Sequence, residues 1–293
     1  MTIKDFIQFL TKTKKMSNSS VEAYSRDVLD FEKFCLQKSI SKLENVDKTV
    51  VAEYIMKLKD DGKSSSTINR KIASIRAFYK YLASQSKINE NPTTGIKPPK
   101  LQKKDLQYLT IWEVEALLET PDDSAKGKRD KAILEMLYAT GMRVNELVEA
   151  NLDDVNLRIG FFKCTGQAGK ARIVPIGMIA RKAVSEYIET SREQFISGNK
   201  KENALFVNYR GERMTRQGLW KILKSYGDKA NLGAKITPHI LRTSFAVHMV
   251  QNGADLKSLQ ELMGHEDITA IQVYMSMSKN RIKDVYDRTH PRA

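Results

Sequence analysis

The chain has 293 residues, enough for two modest domains that each bury a core. Its 49 Lys and Arg residues against 35 Asp and Glu residues give a net charge of +14, which favours nucleic acid as a partner over a merely soluble basic protein. Two widely spaced cysteines exclude a disulfide framework and a zinc site, and the lack of a long apolar run or signal peptide predicts a cytoplasmic protein without membrane insertion.

Residues 1–88 are predicted to form helices, because apolar side chains recur at helical spacing in four stretches. The last stretch follows the run SSST (64–67), which is a typical helix start. The four apolar stripes are Ile3, Phe6, Ile7 and Leu10, then Tyr24, Val28, Phe31 and Phe34, then Val50, Tyr54, Ile55 and Leu58, and finally Ile68, Ile72, Ile75, Tyr79 and Leu82.

The fourth predicted helix is strongly basic. No acidic residue occurs from residue 63 to residue 87. A solvated basic face is the plain interpretation, but the absence of a compensating acid in this stretch favours a helix that faces phosphates. The candidate DNA-binding residues of this helix are Arg70, Lys71, Arg76 and Lys80.

Residues 89–108 contain three prolines among polar and basic residues and are predicted to be an interdomain linker. Residues 109–293 form the second predicted domain. One β-hairpin is predicted within residues 155–176. Helices are predicted at 111–119, 127–141, 178–196, 215–230, 237–252, 255–263, 267–277 and 279–288, and Gly141 is a natural helix stop just before Arg143.

Two arginines, two histidines and a tyrosine occur in order in four stretches: ATGMRVNEL (139–147), HILR (239–242), LMGHEDI (262–268) and IQVY (271–274). Arginine binds phosphate oxygens bidentately, histidine moves protons near neutral pH, and a tyrosine oxygen can attack phosphorus. Each residue alone would more often be a surface, core or helix-end residue. The ordered combination indicates phosphodiester chemistry, and its members are Arg143, His239, Arg242, His265 and Tyr274.

These motifs resemble those of the tyrosine site-specific recombinases, and within that family the Xer recombinases of the XerD type. The resemblance covers nearly the whole chain and includes MTRQGLWKILK (214–224) and the ending THPRA (289–293). It implies a mainly α fold. An N-terminal helical core-binding (SAM-like) domain would precede a mixed, mostly helical catalytic domain with a small antiparallel β-sheet.

The resemblance also implies how the residues act. The two arginines would stabilise the charge on the phosphate, which is a task that Mg²⁺ performs in many enzymes, so neither a metal nor a cofactor is expected. Glu146 is the acidic neighbour of Arg143 in the family motif. The two histidines would bind the phosphate or help to deprotonate the tyrosine, and Tyr274 would form a 3′-phosphotyrosine and release a 5′-hydroxyl.

One position departs from the family, which expects a lysine in the hairpin turn to protonate the leaving 5′-oxygen. The run here reads TGQAGK (165–170), so Gln167 stands at the expected lysine position. A neutral amide can donate a hydrogen bond but has no proton of usable acidity. Lys170 is the candidate substitute, although it also matches a second, phosphate-contacting lysine of the family run. A DNA-binding architectural protein that does not cleave is therefore an alternative.

The predicted helix at 215–230 is a candidate for reading base sequence. An Arg-Gln pair at a helix N-terminus suits base edges, because arginine pairs with guanine and glutamine with adenine. A capped surface helix is the alternative. The candidate residues are Arg216, Gln217, Lys221 and Lys224.

The resemblance implies partners as well. The first is double-stranded DNA with a specific recombination site. The second is a set of further recombinase subunits, either copies of this chain or a paralogous recombinase, which would form a tetramer on two sites. The third is a septal DNA translocase that would act as activator. In the Xer group the reaction resolves chromosome or plasmid dimers at cell division, and a mobile-element integrase or invertase is the alternative.

The last predicted helix is a candidate for contact between subunits, because Ile282, Val285 and Tyr286 recur at helical spacing near the chain end. In the family, the segment at this place docks on a neighbouring subunit. Packing on the same domain is the other interpretation.

Overall fold

The computed structural model describes residues 3–100, 106–166, 171–196 and 202–264. The chain divides into two compact units, Met1–Lys104 and Asp105–Ala293. The division falls inside the stretch 89–108 that the prolines predict as a linker.

The first unit is built from helices whose starts are capped by short polar side chains. Helix α1 spans Ile3–Gln8 and continues through a π-helical turn at Phe9–Thr13. It is followed by α2 (Asn18–Gln37), α3 (Lys48–Asp60) and α4 (Ser65–Ser84). Ser17, Asp47 and Ser64 each accept a backbone N–H three residues later, which satisfies one otherwise unpaired donor at each helix start.

The predicted apolar stripes supply the core of this unit. The residues Ile68, Ile72, Ile75, Tyr79 and Leu82 of α4 are all at most 2% exposed. They pack with Phe31 of α2 and Tyr54 of α3, whose rings meet edge to face with centroids 5.1 Å apart. Residues after α4 also pack here, because Asn69 donates to the Pro99 carbonyl at 3.1 Å and Arg76 donates to the Ile96 carbonyl.

The second unit is mainly helical. Its helices are α5 (Ile111–Leu118), α6 (Ala125–Thr140), α7 (Val144–Glu149), α8 (Met178–Glu186), α9 (Arg192–Ile196), α10 (Arg216–Lys229), α11 (Pro238–Gln251) and α12 (Leu256–Met263). A π-helical turn at Tyr187–Ser191 joins α8 to α9. Leu106 and Tyr108 pack against buried residues of α11 and α12, so the end of the predicted linker is part of this unit. Leu109, just before α5, is fully buried and donates its N–H to Ser244 of α11 at 2.8 Å.

A small antiparallel sheet of strand order β1-β2-β3 lies between α7 and α8 in the chain. The strands are β1 (Val155–Asn156), β2 (Phe161–Thr165) and β3 (Ala171–Pro175). Phe162 pairs with Val174 and Cys164 with Arg172. Because side chains alternate along a strand, these four residues share the inner face, and Phe162, Cys164 and Val174 join the core of the unit.

The fold class predicted from the sequence is confirmed: helices dominate, and the one described sheet is small and antiparallel. The helices predicted at 267–277 and 279–288 lie outside the described residues. Along the described ranges, no helix combines the length and apolar character that a membrane crossing requires.

Candidate active site

The motif around Arg143 forms a helix-to-helix corner. Gly141 ends α6 with φ 57°, a left-handed conformation that glycine adopts without strain, and its N–H donates to the Leu137 carbonyl at 3.1 Å. The chain then turns, and Arg143 takes the N-cap position of α7 with extended dihedrals. Glu146, three residues into α7, accepts the Arg143 backbone N–H at 2.7 Å. The corner therefore fixes the backbone from which the Arg143 side chain projects.

Glu146 lies between two arginines. Arg172 of β3 holds both carboxylate oxygens, with Nη1 2.6 Å from Oε1 and Nη2 2.9 Å from Oε2. Nη1 of Arg143 is 3.4 Å from Oε1. Burial alone raises the pKa of the Glu146 carboxyl, but the hydrogen bonds from Arg172 and from the Arg143 backbone outweigh burial and lower that pKa. Glu146 is therefore a buried carboxylate, and the cluster of these three side chains has a net charge of +1.

Arg242 is a buried arginine that joins three parts of the unit. It lies on α11, which begins with Thr237 as N-cap and Pro238 in the first turn. Its guanidinium donates to the Gly141 carbonyl at the end of α6 and to the Met263 carbonyl at the end of α12, the latter at 2.7 Å. The guanidinium is thereby fixed in place before any substrate arrives, which is what preorganised electrostatic stabilisation needs.

One cleft brings together three of the five residues that the motifs predict for phosphodiester chemistry. It has a volume of about 780 Å³, and Arg143, His239 and Arg242 all line it. His239 is solvent-exposed on the first turn of α11, three residues before Arg242. The remaining lining residues are Met142, Val144, Asn145, Arg216, Gln217, Trp220, Lys221, Thr237 and Pro238. Two arginines and a histidine from two distant parts of the chain thus face a common space.

The predicted base-reading helix borders the same cleft. Thr215 caps α10 by accepting the Gly218 N–H, and Arg216, Gln217 and Lys221 all line the cleft. Lys224 is not among the lining residues, and its Nζ lies 4.0 Å from Asp228 Oδ1. Phosphate chemistry and base contacts can therefore take place on one surface.

The structure corrects the interpretation of Lys71 as a DNA-binding residue. Its side chain is only 8% exposed, and its Nζ lies 2.7 Å from Asp30 Oδ2 and 3.3 Å from Asp27 Oδ1, both on α2. Burial alone lowers the pKa of Lys71, but the hydrogen bond to Asp30 and the nearby charges raise it, so the ammonium stays charged within the unit. The acidic partners of this lysine are on α2, outside the stretch 63–87 on which the prediction was based.

The other three basic candidates of α4 differ in accessibility. Arg70 pairs with the buried Asp27 but keeps 44% of its side chain exposed. Arg76 is half-buried and bonded to the Ile96 carbonyl. Lys80 is exposed. Lys80 and the outer part of Arg70 are thus the α4 cations that can reach a phosphate most directly.

Four predicted residues, Gln167, Lys170, His265 and Tyr274, lie outside the described residues. The last described residue before His265 is Gly264, which directly follows α12. A Cβ built on Gly264 would be 3.7 Å from Nη1 of Arg143 and 3.7 Å from Nη1 of Arg172, so the backbone at Gly264 borders the arginine cluster. Among the residues that the structure describes, no group of three or more His, Cys, Asp or Glu side chains could hold a metal ion.

Sequence reasoning missed three residues of the site. Arg172 touches Glu146, Trp220 lines the cleft with 49% of its surface exposed, and Asn145 lines it with a buried Oδ1 that has no hydrogen-bond partner. A signal existed for Arg172, because strand alternation puts it on the same face as the buried Val174. A charged residue on a core-facing position requires a buried partner.

Both units match known families. Residues 107–281 match the Phage integrase family, and residues 3–86 match the Phage integrase, N-terminal SAM-like domain. The chain is 41% identical to the tyrosine recombinase XerD of Staphylococcus epidermidis, over 99% of this chain and 99% of that protein. The resemblance stated from the motifs is therefore confirmed over the full length.

Solved structures share the fold. The XerH site-specific recombinase bound to palindromic difH substrate, in a post-cleavage complex, superposes with a TM-score of 0.76 at 22% identity, over 97% of this chain and 84% of that one. The Tn1549 transposon integrase in complex with a circular intermediate DNA superposes with a TM-score of 0.73 at 19% identity, over 94% of this chain and 95% of the other. At these identities the likeness concerns the fold alone.

Proposed function

The chain belongs to the phage integrase family of tyrosine recombinases, and we propose that it cuts and rejoins duplex DNA at a specific site through a 3′-phosphotyrosyl intermediate. The observation that carries this proposal is the single cleft lined by Arg143, His239 and Arg242. Two fixed guanidinium groups and an imidazole can bind one phosphate and stabilise the negative charge that grows as a fifth oxygen bonds to phosphorus.

Tyr274 is the proposed nucleophile. Attack of its phenol oxygen on the scissile phosphate forms the phosphotyrosine, and the bond to the 5′-oxygen breaks. His239 and His265 are proposed to bind the phosphate or to take the phenol proton, because an ordinary tyrosine has a pKa of about 10 and is mostly protonated near neutral pH. The reverse attack by a 5′-hydroxyl of another strand regenerates the tyrosine and completes strand exchange.

The leaving 5′-oxygen must also receive a proton. Lys170 is proposed to supply it in place of the lysine that the family has at position 167, since the Gln167 amide has no proton of usable acidity. In the chain, residues 167–170 directly precede β3, the strand that carries Arg172 against Glu146, and this contact supports a place for Lys170 near the arginine cluster.

A covalent adduct is the test of this proposal. The binding site is first recovered by selecting duplexes from a random-sequence pool on the full-length protein. A suicide version of that site, nicked so that the released strand end diffuses away, is then incubated with the protein. We expect a protein–DNA adduct that survives denaturing electrophoresis, because the tyrosine stays linked to the 3′-phosphate.

Tyr274→Phe is the matched control, since it removes only the phenol oxygen. We expect no adduct with this variant, while DNA affinity stays within a few-fold because phosphate contacts dominate it. An adduct that persists in the Phe variant would move the nucleophile elsewhere. Wild-type protein that binds the selected site but never forms an adduct would instead favour the non-cleaving architectural protein.

The cellular role that we propose is resolution of chromosome or plasmid dimers in the cytoplasm at cell division. Its support is the similarity to XerD over the full chain. The reaction would take place in a tetramer on two DNA sites, with copies of this chain or a paralogous recombinase as partners and a septal DNA translocase as activator. Integration or inversion by a mobile element is the second candidate, and its support is the match of residues 107–281 to the Phage integrase family.

A further inference from the structure

The contacts of Glu146 are divided unequally between its two arginines. Arg172 binds both carboxylate oxygens at 2.6 and 2.9 Å, whereas the Arg143 guanidinium reaches one of them at 3.4 Å, which is long for a charge-assisted hydrogen bond. The Arg172 side chain is 16% exposed and that of Arg143 is 33% exposed. Glu146 is thus bound mainly by Arg172, and Arg143 lines the cleft.

The unequal sharing of Glu146 has a consequence for Arg143, because a buried carboxylate forms an ion pair with the nearest available cation. Without Arg172, Glu146 would remain buried beside Arg143, and the strongest pairing left to it would be a bidentate bond with the Arg143 guanidinium. A guanidinium held in that way would direct its donors at Glu146. It would stabilise the charge on a phosphate less than a guanidinium that is directed into the cleft.

Arg172 also contacts the backbone near the end of α12. Its Nε donates to the Leu262 carbonyl near the end of α12 at 2.6 Å. Arg172 therefore links β3, the start of α7 and the end of α12 through one side chain. The residue after α12, Gly264, borders the same guanidinium, and His265 follows it directly in the chain.

We propose that Arg172 is a positioning residue of the strand-cleavage reaction. By neutralising Glu146 it keeps the guanidinium of Arg143 directed at the scissile phosphate, and by bonding the Leu262 carbonyl it holds the end of α12 beside that arginine. This inference rests on the proposed function, because it assigns to Arg172 an effect on the same cleavage step.

The test is a double-mutant cycle on the rate of adduct formation with the selected suicide duplex. Arg172→Gln should slow adduct formation by about 10- to 100-fold, the range typical of residues that hold the functional side chains of a site in position. Glu146→Gln added to it should recover about tenfold, because a neutral amide no longer competes for Arg143 yet can still accept the Arg143 N–H. Recovery stays partial, since the bond to the Leu262 carbonyl is still lost.

A merely structural arginine predicts a different pattern. Arg213 is the matched control: it is half-buried in the same unit and donates to the Val148 and Ala150 carbonyls at the end of α7, both at 3.0 Å, instead of to the Glu146 carboxylate. Any loss of rate in Arg213→Gln should not be recovered by Glu146→Gln. If Arg172→Gln does not fold, Arg172→Lys takes its place, because lysine keeps the charge but cannot hold both oxygens, and Glu146→Gln should speed that variant too.

The outcomes separate this inference from the proposed function. Wild-type protein that forms no adduct overturns the proposed function and, with it, the role of Arg172. Wild-type protein that forms the adduct, together with a double variant no faster than Arg172→Gln, overturns the positioning role alone. The same holds if Arg172→Gln reacts as fast as wild type. A double variant that is clearly faster than Arg172→Gln supports the proposal.

Discussion

At the scale of single residues, position 141 sets the geometry of two arginines at once. Its left-handed backbone ends α6 two residues before Arg143, and its carbonyl accepts a hydrogen bond from Arg242. The space at its Cα is also filled, because a Cβ built there would lie 2.2 Å from Cδ1 of Phe245. Glycine is needed at this position both for its backbone conformation and for its lack of a side chain.

We therefore expect Gly141→Ala to destabilise the second unit. Alanine would pay about 1–2 kcal/mol for the left-handed conformation and about 1–3 kcal/mol more for displacing the Phe245 ring. Gly233→Ala is the matched control, since Gly233 has φ 52° in the same unit but nothing within 4 Å of the added Cβ. Urea unfolding followed by tryptophan fluorescence measures the difference, because both tryptophans, Trp112 and Trp220, belong to this unit. Equal losses in the two variants would contradict the predicted clash.

What sequence could predict at this scale depends on the range of each contact. Arg143 and Glu146 are three residues apart, so a local motif identifies both. The partner of Glu146 on the sheet, Arg172, is 26 residues away, and the bond forms only when the sheet packs against α7. Lys71 was misjudged for the same reason, because its acids lie on α2, 41 residues away in the case of Asp30.

At the scale of elements, most described helices were predicted to within a few residues because caps and apolar spacing are local signals, but the short helix α7 was not predicted, and the predicted helix 178–196 is observed as α8, a π-helical turn and α9. The predicted helix 127–141 is observed at Ala125–Thr140: Ser124 starts it by accepting the Gly127 N–H, and Gly141 ends it. The hairpin was predicted from two strand-like runs on either side of a glycine-containing stretch, and its strands are observed as β2 and β3. The shared cleft of α10 and α11 could not be predicted in this way, because it depends on how the two helices pack in the folded unit and not on the sequence of either helix.

The exposed side chains of α10 and α4 should contribute differently to DNA binding. Arg216→Ala, on the cleft-lining start of α10, should cost about 1–3 kcal/mol on the selected site and relax the preference at one base pair. Lys80→Gln, on the exposed surface of α4, should weaken binding to all sequences alike and reduce the slope of log affinity against log salt by about one. Affinities for selected and random duplexes over a salt series measure both.

At the scale of the whole molecule, the net charge of +14 attracts the protein to DNA of any sequence. Because this attraction does not fix how subunits are arranged, charge alone cannot produce an ordered assembly. Assembly needs a contact between subunits, and a closed ring requires each subunit to give and receive the same segment. The segment 279–293 is the candidate for that role, and it lies outside the described residues. Its apolar residues Ile282, Val285 and Tyr286 recur at helical spacing, as a docking helix requires.

Replacing Ile282, Val285 and Tyr286 by serine should therefore leave binding of one protein to a half-site unchanged and abolish the cooperative filling of two adjacent half-sites. The physical reason is that apolar anchors docked on a neighbouring subunit would bury surface there, whereas the affinity for a half-site would come mostly from cations on phosphates. Lys283→Ser with Asp284→Ser is the matched control, because it alters the same segment without changing the net charge or its apolar residues. Gel-shift titrations on single and paired half-sites measure the cooperativity directly. If the three serine substitutions weaken the half-site complex itself, or unfold the second unit, the segment packs on its own subunit instead of on a neighbour.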